Sequence, residues 1–302
     1  MLVSQYNHIL VVLSFVVAIL AAYTALNMAA RVAGSEGVAA RVWLAGGGIA
    51  MGIGVWAMHF IGMLAMDLSM SMSYNASLPV LSMVIAVGSS LFALWLVSCD
   101  RLRLRRLLPG ALVMGSGIVA MHYTGMAALE VMPGIIWDKV WVAISVAIAL
   151  AASLAALWLT FRLRHDAAQV VLMRTGASIT MGIAIAGMHY AGMKAAQFPM
   201  STMVHHEGIN GSWLAVLVSV VALSILGITL LVSMLDARLQ ARTALLASSL
   251  AEANRELAQL ALHDTLTRLP NRILLEDRLD QAISKADREG THFALMFMDL
   301  DG

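Results

Sequence analysis

The chain has 302 residues, 60% of them hydrophobic and only 12% charged, with a mean hydropathy of +0.83, a balance outside the range of soluble globular domains. Its 19 basic and 18 acidic residues leave no electrostatic footprint for nucleic acid. The single cysteine, Cys99, excludes an intramolecular disulfide framework and any four-cysteine metal site.

The opening residues lack a basic segment of the secretory type, and the first apolar stretch is long enough to remain as a membrane span. A bilayer core requires roughly 20 apolar residues per helix, and seven segments meet that length: 8–30, 42–66, 79–98, 108–130, 139–161, 175–197 and 213–235. The expected class is therefore an all-α membrane protein with the lipid bilayer as its first partner. Basic residues set the orientation, because basic loops stay cytoplasmic. Arg31, Arg41, Arg101, Arg103, Arg105, Arg106, Arg162, Arg164, Arg174, Arg238 and Arg242 follow the odd-numbered spans, against Lys139 and Lys194 in the other gaps. The N-terminus is expected outside and the C-terminus in the cytosol.

One pattern recurs in the second, fourth and sixth spans. It runs from Met51-Gly52 to Met58-His59-Phe60 and Gly62-Met63, from Met114-Gly115 to Met121-His122-Tyr123 and Gly125-Met126, and from Met181-Gly182 to Met188-His189-Tyr190 and Gly192-Met193. Spaced 63 and 67 residues apart, the histidines mark a two-span unit used three times and followed by one further span. All three motif helices run the same way, so the histidines share a depth, in the outer leaflet. His and the Met four residues on lie on one helix face, and the interspersed glycines allow close helix packing in lipid. Three such faces at one level could converge on a common site.

A methionine in a membrane helix is usually packing, but three identically dressed histidines at this depth are costly and default to function. Imidazole with thioether, and no thiolate or carboxylate beside them, suits copper better than zinc, magnesium or calcium. Candidate ligands are His59, His122 and His189 with Met58, Met63, Met121, Met126, Met188 and Met193. Haem, which also takes His and Met, is not distinguished by any residue pattern here. His8 enters the first span from the outside and is a weaker candidate; Asp67 reads as an interfacial charge, and His205 and His206 as solvated loop residues.

The words Met121-His122-Tyr123-Thr124, with the variants at 58–61 and 188–191, resemble the MHYT family of bacterial integral-membrane sensor domains over roughly residues 8–235. The resemblance implies copper held by the motif Met and His and a sensory role towards oxygen, carbon monoxide or nitric oxide, or towards the metal itself. Phe60 in place of Tyr, and Ile61 and Ala191 in place of Thr, depart from the pattern, so only Met and His are carried over. A copper or small-solute transporter is the competing reading, but transporters carry coordinating groups through the midplane and here the histidines form one outer layer. A retinal protein is set aside because the seventh span has no lysine.

After the last span the composition turns amphipathic. Leu239, Leu246, Ala253 and Leu260 recur every seven residues, with Leu250 and Leu257 between them. That is the seam of a parallel coiled coil, making a homodimer through 239–260 the preferred reading over a solvated linker helix. Asp264, Leu266, Thr267, Leu269, Pro270, Asn271 and Arg272, then a helix-like stretch, an apolar strand at 292–302, and Asp299 and Asp301, resemble the opening of a GGDEF diguanylate cyclase domain. That resemblance implies GTP as substrate and Asp299 as a Mg²⁺ ligand of the complete domain. The expected domains are 1–235, a seven-span sensor; 236–262, a signalling linker; and 263–302, the start of a cyclase. The GG(D/E)EF signature does not occur, so the chain is expected to be a piece of a longer protein, without cyclase activity itself, from a bacterial inner membrane.

Overall fold

The computed structural model describes residues 5–67, 73–75, 77–99, 104–164, 170–199, 203–204, 209–296 and 298. The chain divides into two compact units, Met1–Val232 and Ser233–Gly302.

The first unit is helical: α1 (His8–Ala33), α2 (Gly37–Leu64), α3 (Ser77–Val97), α4 (Leu104–Met126), α5 (Lys139–Arg162), α6 (Val170–Ala195) and the beginning of α7 (Gly211–Leu262). Each of the first six packs against the next, and α6 returns to α1, which closes a ring; α2, α4 and α6 also touch one another and line its axis. Composition follows position. The outer helices α1, α3 and α5 have peak hydropathies of 2.7, 2.3 and 2.4, whereas α2 and α4 reach 1.5 and 1.3; α2 is largely buried among its neighbours and needs less apolar surface against lipid. Six helices among the described residues are long and apolar enough to cross a membrane; α6, the third motif helix, is not one of them.

The repeat is visible in the packing. An added Cβ at Gly52, Gly115 or Gly182 would meet the Cα of Val87, Leu150 or Ile19 at 2.5, 3.2 and 2.8 Å. Each motif helix thus lies backbone to backbone on the following outer helix, α6 on α1 completing the cycle, and only glycine permits that approach. Short strands repeat the pattern at the histidine end. They are β1 (Gln5–Tyr6), β2 (Met66–Asp67), β3 (Ser73–Tyr74), β4 (Val131–Met132), β5 (Ile136–Trp137), β6 (Ala196–Gln197), β7 (Met203–Val204) and β8 (Ile209–Asn210). Tyr6 pairs with Met66, Trp137 with Ala196, and Tyr74 bridges Leu129. Beside each bridge, Asn7, Asn75 and Asp138 donate their amides to Ala65, Ala128 and Ala195 at 2.8, 2.9 and 2.9 Å. The side chains of the same three residues accept amides at the start of α1, α3 and α5, so one residue type ends a strand and begins a helix. The second repeat alone is widened: β3 pairs with β8 and β4 with β7, on either side of the segment that leads into α7.

At the opposite end two of the arginines that set the expected orientation also have a structural task. Arg164 donates to the carbonyls of Val97 and Cys99, both at 2.7 Å, and Arg174 to that of Leu163 at 3.0 and 3.1 Å. These are carbonyls that helix ends leave without an internal partner.

The expected seventh span and the linker after it both belong to the single helix α7. Its stripe Leu214, Val218, Ala222 and Leu226 is buried in the core cluster of the first unit. In the second unit Leu239, Leu246, Leu250, Leu257 and Leu260 are 60–70% exposed. There, Asn271 joins α7 to α8 (Arg272–Glu289): its amide and side chain donate to Leu262 and Ala261, while its carbonyl oxygen caps α8 by accepting from Ile273 and Leu274. Gly290, at φ 64°, ends α8. Residues 292–296 form no strand, contrary to expectation. A strand is defined by a partner's ladder, and among the described residues none pairs with this segment.

Candidate metal centre

The three motif histidines, one each from α2, α4 and α6, meet on the axis. His59, His122 and His189 are 0, 0 and 1% exposed, and their ring centroids lie 4.8, 5.0 and 5.2 Å apart with planes nearly perpendicular. Nδ1 of His59 is 3.1 Å from Nδ1 of both His122 and His189, and one ligand nitrogen from each ring lies within 4.8 Å of the others.

What holds the rings is the glycine three residues after each histidine. A Cβ built on Gly62 would collide with Nε2 of His189, one on Gly125 with His59, and one on Gly192 with His122. Each imidazole is therefore seated on the next motif helix, in a closed cycle that fixes all three rings at once. The three Nε2 atoms are buried and have no hydrogen-bond partner.

This arrangement is unbalanced as it stands. A neutral imidazole has one N–H and one lone pair, so Nδ1 of His59 cannot both donate to one neighbour and accept from the other. It can serve both contacts only by sharing one proton or one lone pair between them, which leaves the three Nε2 atoms unpartnered; a cation shared by the Nδ1 atoms is the alternative. An ion about 2.0 Å from each of three nitrogens holds them about 3.3–3.5 Å apart, close to the spacing seen. The donor set fits a metal.

The expected thioether ligands are equally buried. Met58, Met121 and Met188, each preceding a histidine, and Met63, Met126 and Met193, one helical turn after, are 0–2% exposed. His8 begins α1 and is exposed, and Asp67 pairs in β2 with Gln5. His205, His206, Asp299 and Asp301 lie outside the described residues.

A second shell of polar contacts was not expected from the sequence. Tyr123 donates to Ser145 at 2.7 Å and Tyr190 to Ser14 at 2.9 Å, since each serine gives its own proton to a carbonyl of its helix. In the first repeat Phe60 has no hydroxyl, and the equivalent Ser82 instead accepts from Nε1 of Trp56 at 3.0 Å. The departure at Phe60 is thus compensated one turn earlier. The signal was present: Ser14, Ser82 and Ser145 recur at nearly the histidine spacing.

A lipid-embedded helical ring with an internal threefold repeat and a polar cluster on its axis, followed by an amphipathic helix, defines a membrane domain of the signalling type. The chain belongs to the MHYT family, the bacterial signalling protein N-terminal repeat, whose model matches residues 52–110, 115–173 and 182–244. The diguanylate cyclase GGDEF domain matches 261–302. Among curated proteins, the chain is 58% identical over its whole length to the bifunctional diguanylate cyclase/cyclic di-GMP phosphodiesterase MucR of Pseudomonas aeruginosa, covering 44% of that protein. It is 34% identical over 98% of its length to the cyclic di-GMP phosphodiesterase NbdA of the same organism, covering 39% of it. It is also 34% identical over 64% of its length to the signaling protein YkoW of Bacillus subtilis, covering 24%. The chain thus spans less than half the length of these relatives. No solved structure matches it.

Proposed function

We propose that residues 1–235 form a seven-span sensor, N-terminus outside and C-terminus in the cytosol of a bacterial inner membrane, that binds copper at His59, His122 and His189. In this reading the motif methionines complete a soft donor set, and the ligand sensed is a small gas or the metal itself. The observation that carries it is the convergence of three buried imidazoles with Nδ1 atoms in mutual contact and every Nε2 left without a partner. Bound copper supplies an open coordination position for a small ligand; the chain's own residues orient the rings and exclude water. The seventh span counts α6, whose lower hydropathy reflects its place on the axis.

The 236–262 segment would associate two copies through the exposed leucines of α7, an apolar stripe that a solvated helix does not stabilise on its own. Residues 263–302 would open a cyclase that makes cyclic di-GMP from GTP with Mg²⁺, Asp299 holding the ion. MucR, which carries a diguanylate cyclase activity in its name, supports this output. A ligand can act only if it binds one helix arrangement better than another.

The test is elemental analysis of the purified full chain against His122→Ala. Near-stoichiometric copper that vanishes in the variant is the expected result. A folded wild-type chain that takes up no copper on reconstitution overturns the reading.

A further inference from the structure

The axis of the ring is incompletely filled on one side of the histidines. A void of about 20 Å³ is lined by Val55, Ile118 and Ile185, each four residues before a motif histidine, and by Met51 and Met114, eight before. Helical rise places these layers about 6 and about 12 Å from the imidazoles. A second void of about 10 Å³ touches Met51 and Met114 again and adds Met181, so the two share a wall of thioethers along the axis.

The other side of the cluster is closed. Met63, Met126 and Met193, one turn after the histidines, are 0, 0 and 2% exposed, and Tyr74 beyond them is 0% exposed. The strand pairs and their amide bonds lie at this end.

The first void reaches outward to α3 at Ala86, Ser89 and Ser90. Small side chains meet there, Ser89 packing closely on Gly117 of α4. The lining carries two hydroxyls among apolar side chains, Ser89 and Ser90; that of Ser89 already donates to the Ile85 carbonyl at 2.8 Å, whereas a buried water makes about 3 hydrogen bonds. A space of about 10–15 Å³ holds one water-sized molecule by this measure, so the larger void is of the right order for a diatomic.

We propose that this void is a docking pocket for a small, uncharged, apolar diatomic molecule, held one to two helical turns from the histidine layer and filled by partition from the bilayer. The proposal rests on the gas-sensing reading above.

Its test does not require metal. The full chain, metal-free, in lipid nanodiscs and carrying ¹³C-methyl methionine, is placed under oxygen pressure, and paramagnetic relaxation of the methyl lines is measured in wild type and Ser90→Leu. Met51 and Met114 are expected to relax several-fold more than Met63, Met126 and Met193, and the excess is expected to vanish in Ser90→Leu. The same-residue comparison removes the general enrichment of oxygen towards the bilayer centre. Should Ser90→Leu fail to fold, Ala86→Val narrows the same wall more gently and should reduce the excess. Equal relaxation at both methionine layers in wild type, or an excess that neither substitution alters, overturns the proposal. A chain that binds no copper but shows the excess would overturn the metal reading and leave the pocket standing.

Discussion

The two units arrange their polar contacts in opposite ways. In Met1–Val232 the polar side chains on the axis meet across the repeats: His59 meets His122 and His189, Tyr190 of the third repeat meets Ser14 of the first, and Gly125 carries the ring of His59. In Ser233–Gly302 nearly every bond is local. Asp264 accepts from Leu266 and Thr267, and Asn271 binds residues at most ten away. Damage in the first unit should therefore spread round the ring, whereas damage in the second should stay where it is made.

The sharpest test of spreading is Gly125→Ala. The ring of His59 cannot retreat from the new methyl group because its Nδ1 already lies 3.1 Å from two other histidines. Overpacking of this kind costs about 1–3 kcal/mol, and all three rings should shift. Gly88→Ala is the contrast: nothing lies within 4 Å of its Cβ position, so the helix should gain up to about 1 kcal/mol from propensity alone. Thermal unfolding in detergent should move down for the first and level or up for the second, and equal shifts would dissolve the distinction.

The ring's other symmetric shell predicts a smaller effect. Trp56→Phe should remove the indole N–H shared by Ser82 and the Pro79 carbonyl, both at 3.0 Å, at a cost of about 1 kcal/mol. Phe60→Tyr alone should gain nothing, because Ser82 is already engaged. The double variant Trp56→Phe/Phe60→Tyr should recover part of the loss by restoring the Tyr–Ser contact of the other two repeats. A double-mutant cycle measured on the same unfolding signal checks this; strict additivity would mean that Trp56 does not stand in for the missing tyrosine.

Much of the ring was legible because the motif is written three times. Period, span length and the shared depth of the histidines follow from residues 51–63, 114–126 and 181–193 alone. What could not be read is what depends on a partner in another repeat. The glycine after each histidine looks like ordinary helix packing, yet its contact lies on a helix some sixty or more residues away. The nitrogen that faces the other rings, Nδ1 rather than Nε2, follows from that seating. Trp56 looked like one more apolar residue because its role is defined by what Phe60 lacks. The continuity of α7 was hidden by a change in composition near Asp236, where the helix passes from apolar to amphipathic without a breaker.

The local character of the second unit leads to the gentlest prediction. The Asp264 carboxylate is held below its usual range chiefly by the Thr267 amide, then by the Thr267 hydroxyl, with the Leu266 amide adding to them. These bonds favour the charged form. A carboxylate with a lowered folded-state pKa stabilises its turn fully above the unfolded value of about 3.9. That contribution is lost as pH falls through the lower folded value. The turn at 264–269 should loosen on acidification, seen as faster amide exchange at Thr267. The α8 cap should hold, because Asn271 carries no titrating group and its amide and carboxamide bonds to Leu262 and Ala261 are indifferent to pH. If Thr267 and Leu274 lost protection together, the joint would be one cooperative element, and damage in this unit would not stay where it is made.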